Sequence, residues 1–472
     1  MQILGMKIED LKNKKVVVFG LGVEGFSTAR FLDENGVKFT IAEKKDINLL
    51  PYDVQDFIKS KNIPLIHGQS HAESLMDFDV VIRNPGIPLW NLNLVEAVKQ
   101  GREVTSHVKL FFDLCPCPII GVTGTKGKGT TSSLIYEMIR AGDKDVYLGG
   151  NIGRPPLDFL KDLSKDSLVV LELSSFQLED LKRGPHVAVV LMVTQEHLDS
   201  NAPDSPNYHK CLNDYLEAKK NLVRFQSDSD FAVINYDYEQ SREFANVTKA
   251  KKLFVSVTRE LKDGAFLRND ELVLNVNGEQ QVICERHEVF LRGEHNLQNI
   301  LAAASASTLA GAKLQEIRQV IKSFKGLEHR LEFVREVDGV KYYNDSFSTT
   351  PETVMAAIKS FKEPEIIILG GSEKGSDYSE LGRVVARAKN IKAVILIGKT
   401  AQKIKSEIDK NNPLKSLVFV VDLETMNGVV QRAAQLSEPG DVVILTPACA
   451  SFDMFKNYKD RGQQFRNAVN KL

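Results

Sequence analysis

The run Ile119-Ile120-Gly121-Val122-Thr123-Gly124-Thr125-Lys126-Gly127-Lys128-Gly129-Thr130-Thr131 joins an apolar segment to a glycine-rich turn carrying two lysines. Residues 118–122 predict a short buried strand. From Thr130 onward, Leu134, Ile135, Met138 and Ile139 fall at helical spacing, which predicts a helix over 130–140. Strand, glycine turn and helix start are the parts of a phosphate cradle. Glycines let backbone N–H groups approach oxygens, the helix N-terminus adds partial positive charge, and a lysine covers the outer phosphates. The strict P-loop pattern is broken twice: Val122 stands at its first glycine, and Gly129 follows Lys128 where Ser or Thr belongs. The residues alone leave two readings, a phosphate site or a tight turn between a core strand and a helix.

Upstream, the β-branched run 14–19 opens into Gly20-Leu21-Gly22-Val23-Glu24-Gly25. A helix over 26–34 and a second strand over 38–42, ending at Glu43, complete a βαβ unit. This is Gly-x-Gly-x-x-Gly in its proper context, with an acidic residue about where a ribose hydroxyl is held. A dinucleotide, or another nucleotide on the same scaffold, fits it. A further strand over 79–82 ends in Arg83-Asn84-Pro85-Gly86-Ile87-Pro88, either a ligand turn at a strand end or a plain turn.

Downstream, strand 167–173 carries Glu172 near its end, and strand 187–193 ends in Thr194-Gln195-Glu196-His197-Leu198-Asp199. An acid and a histidine at strand ends beside a phosphate loop suit Mg²⁺ and nucleotide chemistry, with a structural histidine as the alternative. Strands are also predicted over 231–235 and 288–291, and an alanine-rich helix over 299–310. Beyond Gly326, strands over 341–344, 366–369, 393–397, 418–421 and 442–445 end in polar or glycine residues, with helices between them. That pattern predicts a doubly wound sheet.

A chain of 472 residues exceeds a single core. The predicted limits are 1–112, 113–326 and 327–472: a Rossmann-like α/β domain, a central P-loop ATPase-like domain with a mostly parallel sheet, and a doubly wound α/β domain. A net charge of −1 argues against a nucleic-acid partner. The five cysteines have no zinc-finger spacing, and Cys115-Pro116-Cys117 reads as a loop rather than a ligand pair. No signal-like or membrane-length apolar run occurs, so the expectation is a cytoplasmic protein with no membrane insertion.

With these blocks in order, the chain resembles the Mur ligases, ATP-dependent amide-forming enzymes of cell-wall precursor synthesis with three domains. The resemblance covers essentially the whole length. Thr123-Gly124-Thr125-x-Gly127-Lys128 is similar to the family's phosphate loop, and Gly293-Glu294-His295-Asn296-x-x-Asn299 and Gly326-Leu327-x-His329-Arg330 to two later blocks. Glu172-Leu173-Ser174-Ser175-Phe176-Gln177-Leu178 and Pro447-Ala448-Cys449-Ala450-Ser451-Phe452-Asp453-x-Phe455-Lys456-Asn457 resemble the glutamate-adding branch.

The resemblance implies ATP and Mg²⁺, with UDP-N-acetylmuramoyl-L-alanine and glutamate as substrates, and a monomer. It turns the first glycine motif into a uridine diphosphate site with Val23, Glu24, Glu43 and Gly86, and sets Asn151 toward the muramoyl group. For ATP it implies Gly124, Thr125, Lys126, Gly127, Lys128, Gly129 and Thr130, with Asn296, Asn299, Arg330 and Asp345. Lys128, His197 and Lys219 would be catalytic, and Thr130, Glu172, His197 and a carbamylated Lys219 would hold metal. Thr349, Lys374, Ser451, Phe452 and Tyr458 fall on the glutamate side.

Gly129 departs from the family's Ser or Thr, a version similar to folylpolyglutamate synthetases, and Phe347 replaces an expected lysine. The leading expectation is addition of D-glutamate to UDP-N-acetylmuramoyl-L-alanine through an acyl phosphate. Behind it stand a related ligase with an altered acceptor, either L-glutamate or a folate-type substrate, and a non-catalytic nucleotide-binding paralogue. Retention of Lys128, Glu172, His197, Lys219 and Arg330 opposes the last.

Overall fold

The computed structural model describes residues 5–194, 207–276, 278–373, 375–411, 418–420 and 424–472. They form two compact units, one of Met1–Glu288 with Gln298–Val320, the other of Val289–Leu297 with Ile321–Leu472.

The first unit holds two sheets. Strands β1 (Val16–Phe19), β2 (Phe39–Glu43), β3 (Leu65–His67), β4 (Val80–Arg83) and β5 (Glu103–Ser106) make a parallel sheet in the order β3-β2-β1-β4-β5. All four residues of β1 are buried, as expected of a central parallel strand covered on both faces. Val16 and Val18 join one core while Val17 and Phe19 join another across the sheet, the period of two that strand geometry imposes.

The second sheet has nine strands: β6 (Ile119–Thr123), β7 (Val146–Gly150), β8 (Leu168–Glu172), β9 (Val187–Val190), β10 (Phe231–Asn235), β11 (Lys251–Ser256), β12 (Gly264–Arg268), β13 (Glu271–Val276) and β14 (Glu279–Glu285). Their order is β14-β13-β12-β11-β10-β9-β6-β8-β7. The sheet is parallel from β7 to β12, and β12-β13-β14 close it as an antiparallel ribbon. The ribbon escapes the sequence reading because its apolar runs, Ala265-Phe266-Leu267 and Leu272-Val273-Leu274, are shorter than the run that marks a buried strand. The two sheets share one continuous core. In it, Phe111 of the helix His107–Leu114 meets Phe159 edge-on at 5.8 Å.

The second unit is a six-stranded sheet of β15 (Glu332–Val337), β16 (Val340–Asn344), β17 (Glu365–Gly370), β18 (Ile391–Ile397), β19 (Val418–Val420) and β20 (Val442–Leu445). Its order, β15-β16-β20-β17-β18-β19, is parallel except for the β15–β16 hairpin. Ile367 and Leu369 face one core and Ile366 and Ile368 the other, so helices cover both faces.

One predicted element fails. Residues 288–291 are not a strand: Arg286–Glu288 is a single 3₁₀ turn, and the Phe290 N–H donates to Ile321 O at 3.2 Å, the end of the helix Leu314–Ser323. A short apolar run does not distinguish a strand from a loop packed on a helix. The alanine-rich helix starts earlier than predicted, spanning Glu294–Leu309.

Candidate active site

In the first unit β6 is buried throughout and runs into the glycine turn, and the helix Lys128–Arg140 follows at once. Gly127 caps that helix at φ +88°, and a Cβ there would lie 2.3 Å from Oδ1 of Asn299. Only glycine combines that backbone with that approach. The first-turn N–H groups of the helix, at Lys128, Gly129 and Thr130, are therefore presented beside an open turn, the geometry that receives an anion.

Side chains from distant elements fasten the loop. Thr125 N–H donates to Met192 O at 2.7 Å, and Thr125 Oγ1 lies 2.8 Å from both Thr194 O and the Tyr215 hydroxyl. Lys128 Nζ donates to the loop's own carbonyls, Gly124 at 3.0 Å and Thr125 at 2.9 Å. Lys219, buried on the helix Leu212–Arg224, donates to the same Gly124 carbonyl at 2.9 Å and sits 4.7 Å from the Tyr215 ring centroid. Two ammonium groups thus converge on one turn, while Lys126 is exposed.

Glu172 ends β8 opposite Val122 of β6, beside the loop. It is buried, and Asn151 donates to it at 2.8 Å. Hard cations take oxygen donors, and Glu172 is a buried carboxylate on the strand that adjoins the loop. In the first turns of the helix Lys128–Arg140, Thr131 Oγ1 and Ser132 Oγ are buried with no hydrogen-bond partner among the described residues. Among the described residues no three His, Cys, Asp or Glu side chains form a metal cluster. His197, expected as a ligand, lies outside the described residues.

Around the first glycine motif, a Cβ on Gly25 would lie 2.0 Å from Gly20 O, so helix and turn touch directly. The Glu43 carboxylate is committed to backbone, accepting from Leu21 N at 2.6 Å and Lys45 N at 3.0 Å. Val23 is exposed, and Gly86 N donates to Asn84 Oδ1 at 3.0 Å. Glu24 instead turns inward, accepting a hydrogen bond from Gln177 of the central sheet's domain. Burial pushes its carboxyl up to about 7, against the opposing pull of Gln177 and Arg83. Arg83 is itself fully buried, 3.5 Å from both Glu179 and Asp180.

The second unit gathers another group. Positive φ at His329 and Leu331, 63° and 44°, brackets Arg330, whose guanidinium stands 4.4 Å from the Phe347 ring centroid. Tyr458 meets Phe347 edge-on at 5.2 Å. Asp345 is buried, accepting from Leu331 N at 3.1 Å and Thr446 Oγ1 at 3.0 Å, and desolvation raises its carboxyl to about 6. Asn296 donates to Arg292 O at 2.6 Å. Ser451 is buried, Thr349 half-buried and Phe452 exposed. Lys374 lies outside the described residues.

Three contributors were not foreseen. Gln177 and Tyr215 fasten Glu24 and Thr125, and Arg461 is buried against Ser346, Cys449 and Ala450. Desolvation lowers the Arg461 guanidinium to about 10. Nothing in Tyr458-Lys459-Asp460-Arg461 distinguishes that arginine from a solvated one, because its partners lie on other elements.

Sheets in series, with a phosphate-type loop heading the central one, define a class of nucleotide-dependent α/β protein. The chain belongs to the Mur ligase family. Residues 14–106 match the MurD-like N-terminal domain, 122–307 the Mur ligase middle domain, and 329–449 the Mur ligase glutamate ligase domain. Two curated relatives are each called UDP-N-acetylmuramoylalanine--D-glutamate ligase. That of Acetivibrio thermocellus is 38% identical over 98% of this chain and 97% of its own. That of Clostridioides difficile is 38% identical over 98% and 100%. Among solved structures, the MurF ligase of Thermotoga maritima in complex with ADP is 17% identical, with a TM-score of 0.56 over 100% of both chains. The pseudomurein peptide ligase type C of Methanothermus fervidus is 17% identical with a TM-score of 0.55, covering 97% of this chain and 100% of that one.

Proposed function

We propose that this protein joins the amine of D-glutamate to the alanyl carboxylate of UDP-N-acetylmuramoyl-L-alanine, converting ATP to ADP and phosphate. The observation that carries the reading is the convergence of Lys128, Lys219 and the head of the helix Lys128–Arg140 on the Gly124–Gly127 turn, with Glu172 on the adjoining strand. The names of the full-length relatives support the substrates.

A carboxylate oxygen does not leave when an amine attacks. Transfer of the γ-phosphoryl group to that oxygen gives an acyl phosphate and ADP. The amine nitrogen then bonds to the carbonyl carbon, the carbon–oxygen bond to phosphate breaks, and nitrogen loses a proton. Negative charge moves onto phosphoryl oxygens first and the tetrahedral oxygen second, so fixed positive charge is the main requirement. Lys128 and the helix N–H groups meet the outer phosphates, with Gly124–Thr130 as the cradle and Asn296, Asn299, Arg330 and Asp345 around the nucleotide. Thr130 and Glu172 would hold Mg²⁺, joined by His197 and by Lys219 in carbamylated form; the bound ion neutralises phosphoryl charge. Val23, Glu24, Glu43, Gly86 and Asn151 serve the uridine nucleotide and its muramoyl group, and Thr349, Lys374, Ser451, Phe452 and Tyr458 serve glutamate. Domain limits at 1–112, 113–326 and 327–472, and a cytoplasmic monomer, complete the proposal.

The test is phosphate release with UDP-N-acetylmuramoyl-L-alanine and either D- or L-glutamate. Turnover that requires D-glutamate is the expected result, and none with either isomer would sink the reading. Phe347, where the family pattern has lysine, favours one second reading: turnover confined to L-glutamate.

A further inference from the structure

The reaction above makes no use of Cys115-Pro116-Cys117. Cys115 closes the helix His107–Leu114, its N–H bonded to Phe111 O at 2.8 Å, and the chain then enters β6 at Ile119. Both cysteines are free and half-buried, with their Sγ atoms 3.6 Å apart. A disulfide brings two sulfurs to about 2.05 Å, so each has to move by less than ~1 Å. The pair opens on a cavity of about 490 Å³ that Lys182, Arg183, His186 and Phe225 also line. Arg183 is 3.4 Å from Asp113 and His186 is 3.2 Å from Asp230, whereas Lys182 is exposed and makes no ion pair among the described residues. Lys182 therefore contributes to the lining of the cavity a cation with no ion-pair partner among the described residues.

We propose that Cys115 and Cys117 are a redox dithiol that exchanges with small anionic disulfides and closes to an intrachain bridge just before the strand of the phosphate loop. Cys115 gives its proton to solvent, and its thiolate attacks one sulfur of the small disulfide. That S–S bond breaks, and one thiol leaves after taking up a proton. Cys117 then gives its proton to solvent, its thiolate attacks Cys115 Sγ, the mixed S–S bond breaks, and the second small thiolate leaves and takes up a proton. Two protein thiols are oxidised by two electrons, and one small disulfide is reduced by two. The shared sulfur hydrogen bond favours this order. It holds Cys115 below the ordinary thiol range and drives Cys117 up, so Cys115 is the first thiolate formed. A bridge over a single intervening residue is strained and readily reduced again, as a responsive disulfide is.

The test uses the full chain and oxidised glutathione, followed by thiol blocking and non-reducing peptide mass mapping. A peptide holding Cys115 and Cys117, lighter by two hydrogens and restored by dithiothreitol, is the expected product. In Cys117→Ser the exchange should stop at a glutathione adduct on Cys115. In Lys182→Glu, bridging by oxidised glutathione should slow by about tenfold at low salt, and bridging by the cationic disulfide cystamine should accelerate. Two thiols left fully blockable, or each capped separately with no bridge, would overturn the dithiol. Equal rates with both disulfides in both proteins would overturn the charge selection.

Discussion

Gly127 shows how much one residue can be asked to do. At its φ of +88° any side chain is strained, and a Cβ 2.3 Å from Asn299 Oδ1 would also push the Asn299 side chain aside. Gly127→Ala should cost ~1–2 kcal/mol from the left-handed backbone alone, read as a fall in urea midpoint. Glu24 carries a pH signature. Its carboxyl titrates near 7 in the folded protein and near 4.5 as a free group, because burial disfavours the charge. Between those values the folded state holds a proton that the unfolded chain has released, so stability falls as pH rises through that window. Gln177, Arg83 and Asp180 surround Glu24, and Glu179, also raised to about 7, adds a slope of the same sign. Glu24→Gln should remove Glu24's share, up to ~3 kcal/mol above pH 7. Urea midpoints of both proteins at pH 5 and pH 8 check this; an unchanged slope would refute it.

At the scale of elements, the helix Tyr458–Val469 sets both Tyr458 and Arg461. The Asn457 side chain caps it, accepting from Asp460 N at 3.0 Å. Asn457→Ala should cost ~1 kcal/mol and speed amide exchange across 458–469, leaving 128–140 unaffected. The contrast between this helix and the one at Lys128–Arg140 also explains what was legible in sequence. The latter announces itself through a glycine turn and an apolar stripe that are adjacent in the chain. Residues 458–469 look like a solvated helix, and the burial of Arg461 follows only from where Ser346, Cys449 and Ala450 come to lie. The antiparallel ribbon β12–β14 is illegible for a different reason: its apolar runs at 265–267 and 272–274 are shorter than those that mark β1 and β17.

For the whole molecule, one fluorophore reports on one unit. The single tryptophan, Trp90, belongs to the unit that carries the glycine loop. An ATP analogue at a hundred times its dissociation constant should stabilise that unit by ~2.7 kcal/mol, seen as a later Trp90 fluorescence transition in urea. Gly127→Ala should abolish the shift. A shift of equal size in the variant would separate nucleotide binding from the loop.

The sequence by itself determined the parallel α/β character, because strands buried on both faces must be continuously apolar and turns that meet phosphate or touch a helix must be glycine. It also determined the family, through blocks whose residues sit side by side in the chain. Only the tertiary structure decided that Lys219 reaches the Gly124 carbonyl across 95 residues, that Tyr215 anchors Thr125 across 90, and that Glu24 turns inward to Gln177 across 153. Such contacts depend on the packing of whole sheets and helices, which no local run of residues encodes. The Gly124–Gly127 turn could be read from its own residues; the two ammonium groups that converge on it could not.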